Sequence, residues 1–570
     1  MKISQLVNSD YLKRGGNYHM NWKKPFAVAM AGVMLAGCGS SSTDAGSTAS
    51  GGETDKDAKV VVALDADLNT MDYEVATDGN SFIMQSMCVG GLTQLDAKGQ
   101  PQPDLASKWE ESKDGKTYTF HIRKDAKWSN GDDLTANDFV YGWQRLVSPD
   151  LASEYNFIMT TIGVTNAADV TAGKKPLSDL GVEAKDDKTF VVHLDQPCEF
   201  LLGLMAFPSF FPLNQKFYES KGDQFAVGSP DNLLYCGPYT MTGWEAGNEY
   251  TFTKNDDYWD AKNINVKTVT FKFLQDTQSA MLSYQSGDID VVKLASEQVD
   301  AYKDQEGFQT RLQGYAWRID YNTTKDKLKN KDLREAIFKG IDRKSICDDV
   351  LKDGSVPAEG FIPKEFAYGP DSKDFRDTAG KLIDADANKK EAQAAYEKAK
   401  KALGGDVTLE LVLEDSEACK SVAENIQAQL QDNLPGIKIN LKQVTKKERL
   451  DYMDNREYEL GLTRWGPDYA DPQTYLDLFK SDTSGYDAKN VTYYNDDYDA
   501  LMNKAETGAD AADAEKRWSD LVEAEKMLLD DYAMCPIYQN GGAMMINPKV
   551  TGIEFHNAGV DSYRHMTKKA

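Results

Sequence analysis

The residues of this chain that could do chemistry are its thiols and its carboxylates. Seven cysteines are spread over 570 residues. Cys38 ends the small-residue run Leu35-Ala36-Gly37. The others, Cys88, Cys198, Cys236, Cys347, Cys419 and Cys535, are irregularly spaced and form no CxxC pair, which speaks against zinc ligation. Cys198 with Cys236 is the one bridge the sequence suggests; buried free thiols are the alternative for all six. The five histidines form no HExxH, and His121 and His193 fall in alternating segments that suit a structural role. A catalytic metal and a histidine-based triad are therefore disfavoured, and no cofactor is expected. Asp and Glu total 91. Carboxylates this numerous read as solvated surface, and a hydrolase would need one pair at a fixed separation. The acidic group with the best position is the loop Gly466-Pro467-Asp468-Tyr469-Ala470-Asp471-Pro472. It follows an apolar strand, where open α/β sheets bind ligands, although a plain surface turn has the same composition.

Cys38 has a second chemistry. Lys23 and Lys24 precede an apolar run, Pro25 to Leu35, too short to span a bilayer and suited to a secretory signal. Leu35-Ala36-Gly37-Cys38 then resembles a bacterial lipobox, which implies cleavage before Cys38 and acylation of its thiol; an ordinary signal with an incidental cysteine is the alternative. Residues 1–37 are thus expected to be a signal peptide, with Met20 its start, and residues 38–58, rich in Ser, Gly and Thr, a flexible tether. About 510 residues remain, enough for two or three domains. The formal charge of −26 leaves no basic stripe for nucleic acid, and 10% aromatic residues exclude a disordered chain.

The elements that would position the loop can be read from periodicity. Thr117 to Arg123 and Lys188 to Leu194 alternate as half-buried strands, and Thr135 with Asp138 forms a capping box ahead of Phe139, Val140, Trp143 and Leu146. Residues 90–205 therefore mix helices with antiparallel strands. Val407 to Leu413, Glu417 to Leu430, Ile437 to Val444, Lys446 to Asn455 and Tyr458 to Trp465 read as strand, helix, strand, helix, strand. That order implies a parallel sheet. Val266 to Leu274, Thr277 to Gln285 and Ile289 to Val292 read as a second such unit.

Longer blocks carry a resemblance. Pro103 to Trp109, Tyr118 to Gly131, Asp138 to Arg145, Gly237-Pro238-Tyr239, Ser286 to Asp290 and Leu333 to Ile337 are similar, in order, to family 5 extracellular solute-binding proteins of ABC importers, above all the oligopeptide-binding type. The similarity runs from about residue 59 to the end. It implies an α/β, two-lobed, periplasmic-binding-protein-like fold with an extra inserted domain. Domain I would comprise 59–89, 212–313 and 541–570, domain II 90–211, and domain III 314–540. It implies a monomer that captures oligopeptides between closing lobes and hands them to ABC permease subunits with cytoplasmic ATPases, from a lipid anchor on the outer face of the membrane. Within this branch Trp465-Gly466-Pro467-Asp468-Tyr469-Ala470-Asp471-Pro472 matches the motif whose aspartate grips the ligand's α-ammonium, so Asp468 inherits that role, with Trp465 and Tyr469 beside it. Tyr155 matches a ligand-contacting tyrosine, and Thr77, Asp78 and Gly79 a segment that pairs with the peptide backbone. Side-chain pockets would be roomy and wet. Two positions depart from the pattern. Met453, Asp454 and Leu462 stand where some relatives place basic groups for the ligand's carboxylate, with Arg456 and Arg464 displaced nearby, and Gly466 stands where some carry cysteine. Sugar oligomers, metal chelates or opines are alternative ligands of this fold, and a pheromone sensor or extracellular chaperone alternative roles.

Overall fold

The computed structural model describes residues 57–467, 469–481, 492–506, 510–511 and 513–570. Cys38, the leader and tether before Asp57, and Asp468 lie outside the described residues.

One sheet of eleven strands organises the chain. From one edge it runs Lys438–Val444, Thr408–Glu414, Leu460–Trp465, Phe308–Tyr321, Met534–Ile546, Val291–Lys293, Lys59–Leu64, Thr268–Phe273, Glu249–Lys254 and Tyr239–Glu245, with Val356–Pro357 paired beside Met534–Ile546. The strand–helix–strand–helix–strand reading holds. Thr408–Glu414 lies parallel to both Lys438–Val444 and Leu460–Trp465. Helix Glu417–Asn433 covers them by burying Val422, Ala423, Ile426 and Leu430, at helical spacing, and starts where the Ser416 side chain accepts the Cys419 N–H. The second unit differs from expectation. Thr268–Phe273 and Val291–Lys293 do not pair with each other; Lys59–Leu64 lies between them, parallel to both. A crossover leaves room for an inserted strand, and nothing in the local pattern announces one from 200 residues away.

A separate four-stranded antiparallel sheet joins Ala106–Glu111, Thr117–Ile122, Thr189–His193 and Val182–Asp186. Helix Ala136–Leu146 packs on it, its start fixed by the Asp138 carboxylate accepting the Thr135 N–H at 2.7 Å. Phe139 and Trp143 meet Phe190 of that sheet at ring distances of 5.5 and 5.2 Å.

The apolar core divides. One large cluster collects residues from Ala58 to Val291 and from Met544 to Met566, together with Tyr469; another collects Ala316 to Tyr538. Phe308–Tyr321 and Met534–Ile546 are long enough to serve both, and their ladder loses register between Leu312 and Ala316. The six described cysteines are all buried and unbridged, so the suggested Cys198–Cys236 link is not made. The Cys236 N–H instead bonds the Cys88 carbonyl at 3.1 Å, which seats Cys236 beside a different thiol, and burial pushes both Cys198 and Cys236 upward in pKa. Among the described residues no helix is long and apolar enough to cross a membrane, and no three or more His, Cys, Asp or Glu side chains are grouped as metal ligands.

Candidate functional site

Strand Leu460–Trp465 delivers the acidic loop to the place where the two cores meet. Leu460 and Leu462 are buried in the second core, and the strand ends with Trp465 paired opposite Ala316 of the crossing strand. Trp465 is held by its indole N–H donating to Thr474 Oγ1 at 3.3 Å. The next residue, Gly466, leaves room for a neighbouring ring. A Cβ on Gly466 would lie 2.3 Å from the Tyr315 ring, so Tyr315 fills the space a side chain there would need. Gly314 is under the same constraint, since a Cβ there would lie 2.2 Å from the Asn557 carbonyl and 2.7 Å from Pro467. Crossing strand, acidic loop and C-terminal segment therefore converge backbone to backbone.

Beyond Asp468 the loop reaches across to the first core. Tyr469 is only 9% exposed and its ring stacks on Phe200 with centroids 3.8 Å apart and planes 10° from parallel. Phe200 belongs to the segment leading into helix Leu201–Leu204 of the first half. Asp471 then ties the loop back to the second half through Arg517, which donates to both carboxylate oxygens at 2.8 and 2.9 Å and to Gln473 Oε1 at 3.0 Å. Burial works against the Arg517 charge, but the Asp471 carboxylate more than offsets it and holds the guanidinium above its usual range.

Between the halves lies a cavity of roughly 650 Å³. Tyr469, Ala470 and Asp471 form one wall with Arg517 and Trp518; Ile83, Met87, Phe200, Leu202 and Phe207 form the other. Its size and mixed lining are those of a small-molecule or short-chain site.

The other residues singled out from sequence fall in three places. Tyr155 packs on Phe82, Phe157 and Phe207 at 5.5–5.6 Å, one layer behind the cavity wall that Phe207 forms. Asp78 caps helix Gly79–Cys88, accepting from the Ser81 N–H at 2.9 Å and the Ser81 hydroxyl at 2.7 Å, while Thr77 and Gly79 are exposed at that helix start. None of these three lines the large cavity. Trp465 lines instead a small cavity of about 40 Å³ with Arg318, Met453, Thr463 and Arg464. So Tyr469 reaches the large cavity, Tyr155 supports it, and Trp465 and the 77–79 segment lie apart from it.

The displaced arginine has an evident partner. Arg464 donates to Glu414 Oε1 at 2.7 Å and lies over the Trp317 ring at 4.8 Å. Burial raises the Glu414 carboxyl, yet Arg464 and Arg449 together hold it below the usual range. Sequence reasoning missed Phe200, Tyr315 and Arg517. Each is brought to the loop by long-range pairing, and no local pattern marks any of them.

Comparison with known proteins agrees with this geometry. Residues 100–487 match the family described as bacterial extracellular solute-binding proteins, family 5 middle. A dipeptide-binding protein of Lactococcus lactis subsp. cremoris is 31% identical over 550 residues, covering 94% of this chain and 96% of its own length. The substrate-binding domain of an oligopeptide ABC transporter from Bacillus anthracis superimposes with a TM-score of 0.70 at 36% identity, covering 91% of this chain and all of that one. The periplasmic murein tripeptide-binding protein MppA, in an unliganded open form, gives a TM-score of 0.79 at 26% identity over 91% of this chain and 99% of that one.

Proposed function

We propose, for a chain that belongs to family 5 of the bacterial extracellular solute-binding proteins, that it captures peptides between its two halves and delivers them to an ABC permease. The observation that carries this reading is the position of the Trp465–Pro472 loop. It leaves the second half beside the crossing strands, and its Tyr469 is stacked on Phe200 of the first half at the edge of a 650 Å³ cavity. A ligand held there touches both halves, so binding and closure become one event. In this reading 59–89, 212–313 and 541–570 with 90–211 make one lobe and 314–540 the other. Asp468 pairs with the ligand's α-ammonium, a group every unmodified peptide carries, which suits recognition by main chain and not by sequence. Trp465 and Asp471 fix the two ends of its loop. Acylation at Cys38 tethers the receptor to the outer face of the membrane, with 38–58 as the spacer. Two acyl chains are needed there, since one holds a protein only marginally.

Calorimetry with one short peptide, free and N-acetylated, on wild type and Asp468→Asn tests the assignment. Leaving a buried charge without its partner costs about 3–5 kcal/mol, or roughly a hundred- to several-thousand-fold in affinity. Acetylation and the substitution should each cost that much, and together little more. Equal binding of both peptides by wild type rules out Asp468 as the amine anchor.

A further inference from the structure

Behind the acidic loop a chain of buried polar side chains leaves the cavity wall and ends deep in the second half. The Gln473 N–H donates to Asp471 Oδ1 at 2.9 Å, and the Gln473 Oε1 accepts from Arg517 at 3.0 Å. The other end of the same amide donates to Asp477 Oδ2 at 3.0 Å. Beyond Asp477, and in hydrogen-bond contact with it, stands Glu506, the last residue of helix Asp496–Glu506. Glu506 Oε2 accepts from Lys480 at 2.6 Å, and Lys480 also donates to Asn503 Oδ1 at 2.9 Å. Gln473, Lys480, Glu506 and Arg517 are each 4% exposed or less.

The charges of this chain do not balance. Three carboxylates, Asp471, Asp477 and Glu506, face two cations, Arg517 and Lys480, and a net charge at this depth is costly. The other titratable groups nearby, Tyr493, Tyr498 and Asp499 around the Glu506 helix and Glu199 beside Arg517, supply no further cation. Asp477 Oδ1 and Glu506 Oε1 are buried with no donor among the described residues. Gln473 takes the other Asp477 oxygen and Lys480 the other Glu506 oxygen, so the two carboxyls turn these bare atoms toward each other. Two ionised carboxylates repel in such a contact, whereas a hydroxyl on one satisfies both. Burial, then the Asp477 charge, pushes the Glu506 carboxyl well above its ordinary range, with Lys480 opposing.

We propose that Asp477 and Glu506 share one proton, donated by Glu506 Oε1 to Asp477 Oδ1, and that through Gln473 this pair positions the acidic loop. The amide of Gln473 is directional, so a fixed acceptor at Asp477 holds its oxygen toward Arg517 and thereby steadies Asp471. Asp477 and Glu506 are positioning residues, and neither lines the cavity. The shared proton stands on this geometry alone; its bearing on capture rests on the peptide reading.

Proton counting tests the pair. The full chain is unfolded in weakly buffered urea at neutral pH, and the protons it releases are titrated. Unfolded carboxyls ionise there, so wild type releases one proton more than Glu506→Gln, whose amide makes the same two bonds with no proton to lose. It also releases one more than Asp477→Asn, which leaves Glu506 charged beside Lys480. Glu74 and the other buried carboxyls cancel in these differences. Equal release overturns the shared proton. Release that falls in Glu506→Gln and not in Asp477→Asn overturns the sharing, and uptake in place of release puts the missing charge at Lys480 and overturns it too. Calorimetry with trialanine tests the positioning. Asp477→Ala leaves the buried Gln473 amide without its acceptor and binds about tenfold more weakly, while Asp477→Asn and Glu506→Gln bind as wild type does. Thermal unfolding identifies which variants are folded, and Gln473→Met, which cuts the same link, stands in if Asp477→Ala is not. Unchanged binding by the variant that cuts the link overturns the positioning role. Failure of wild type to bind trialanine overturns the peptide reading and the positioning role with it, and the proton count still decides the pair.

Discussion

The two halves of this molecule are assembled on opposite plans. The second is drawn from one continuous stretch, Ala316 to Tyr538, and its parallel ladder pairs Thr408–Glu414 with the next two strands of the chain, Lys438–Val444 and Leu460–Trp465. The first is gathered from distant pieces and closed by residues near the C-terminus. Asp104, fully buried, is its fastener. It accepts from the Tyr258 hydroxyl and the Trp259 indole at 2.8 Å and from Arg564 at 2.9 Å, and Arg564 also donates to Gln94 at 2.6 Å, 470 positions away in sequence. The second half has a buried fastener as well, Glu525, which accepts from Arg376 and from the Phe361 and Ile362 N–H groups, but it ties segments of one continuous stretch. A core made of returning segments depends on its fastener more, because loop closure over hundreds of residues has to be compensated by what the ends find when they meet. The first half is thus locked across its own segments, whereas the ladder of the crossing strands loses register between Leu312 and Ala316.

The largest effect should come from cutting the fastener. Asp104→Ala strands the buried Arg564 charge and removes the acceptor of two more donors, at a cost of about 3–5 kcal/mol. Hydrogen exchange should rise across the first half and leave helix Glu417–Asn433 and its strands protected. A uniform rise across both halves would break the contrast between them.

Both halves bury carboxylates that burial pushes upward, Glu506 and Glu525 in the second and Glu74 in the first. In the first half Arg145 serves two carboxylates, Asp72 at 2.7 and 2.9 Å and the fully buried Glu74. One cation cannot hold both charged at that depth. Burial pushes the Glu74 carboxyl up to about 8, Arg145 opposing. The folded protein therefore keeps a proton that the unfolded chain releases near its ordinary value, 4.5. That contribution to stability is complete below the ordinary value and is lost as pH rises toward 8. Glu74→Gln should flatten the decline in urea midpoint between pH 5 and 8 and leave the second half's exchange unchanged. A wild-type midpoint independent of pH over that range would contradict it.

The smallest effect belongs to the seam between the halves. Gly466→Ala puts a methyl group into the Tyr315 ring, and since Tyr315 is 44% exposed the ring can move aside, at a cost of about 1 kcal/mol. Tyr315→Ala in the same chain should recover most of it in a thermal double-mutant cycle. Additive losses would mean that the two residues do not share that space.

The same division explains what could be read from the amino acids alone. In the second half the apolar runs Val407 to Leu413, Ile437 to Val444 and Tyr458 to Trp465 and the amphipathic stretch Glu417 to Leu430 carry their own periods, which sufficed for the strand–helix order. The acidic loop was placed for the same reason, by following its strand to the end. In the first half the antiparallel strands were legible, yet the insertion of Lys59–Leu64 between Thr268–Phe273 and Val291–Lys293 was not, because strand pairing across 200 residues leaves no periodic trace. Phe200 stayed hidden likewise. Its importance lies in a ring from position 469, and neither residue's neighbours predict the other. The Cys198–Cys236 suggestion failed because proximity in a list of cysteines is no guide to proximity in a core.

The central claim is that peptide is caught by the two halves moving about the crossing strands. Small-angle scattering of the protein alone and saturated with a peptide of calorimetrically established affinity measures this directly. The account predicts a smaller radius of gyration in the complex and a profile that matches a closed pair of lobes. Superimposable profiles at full occupancy would contradict it, because a ligand bound without bringing the halves together would mean that the Trp465–Pro472 loop holds peptide against one half only.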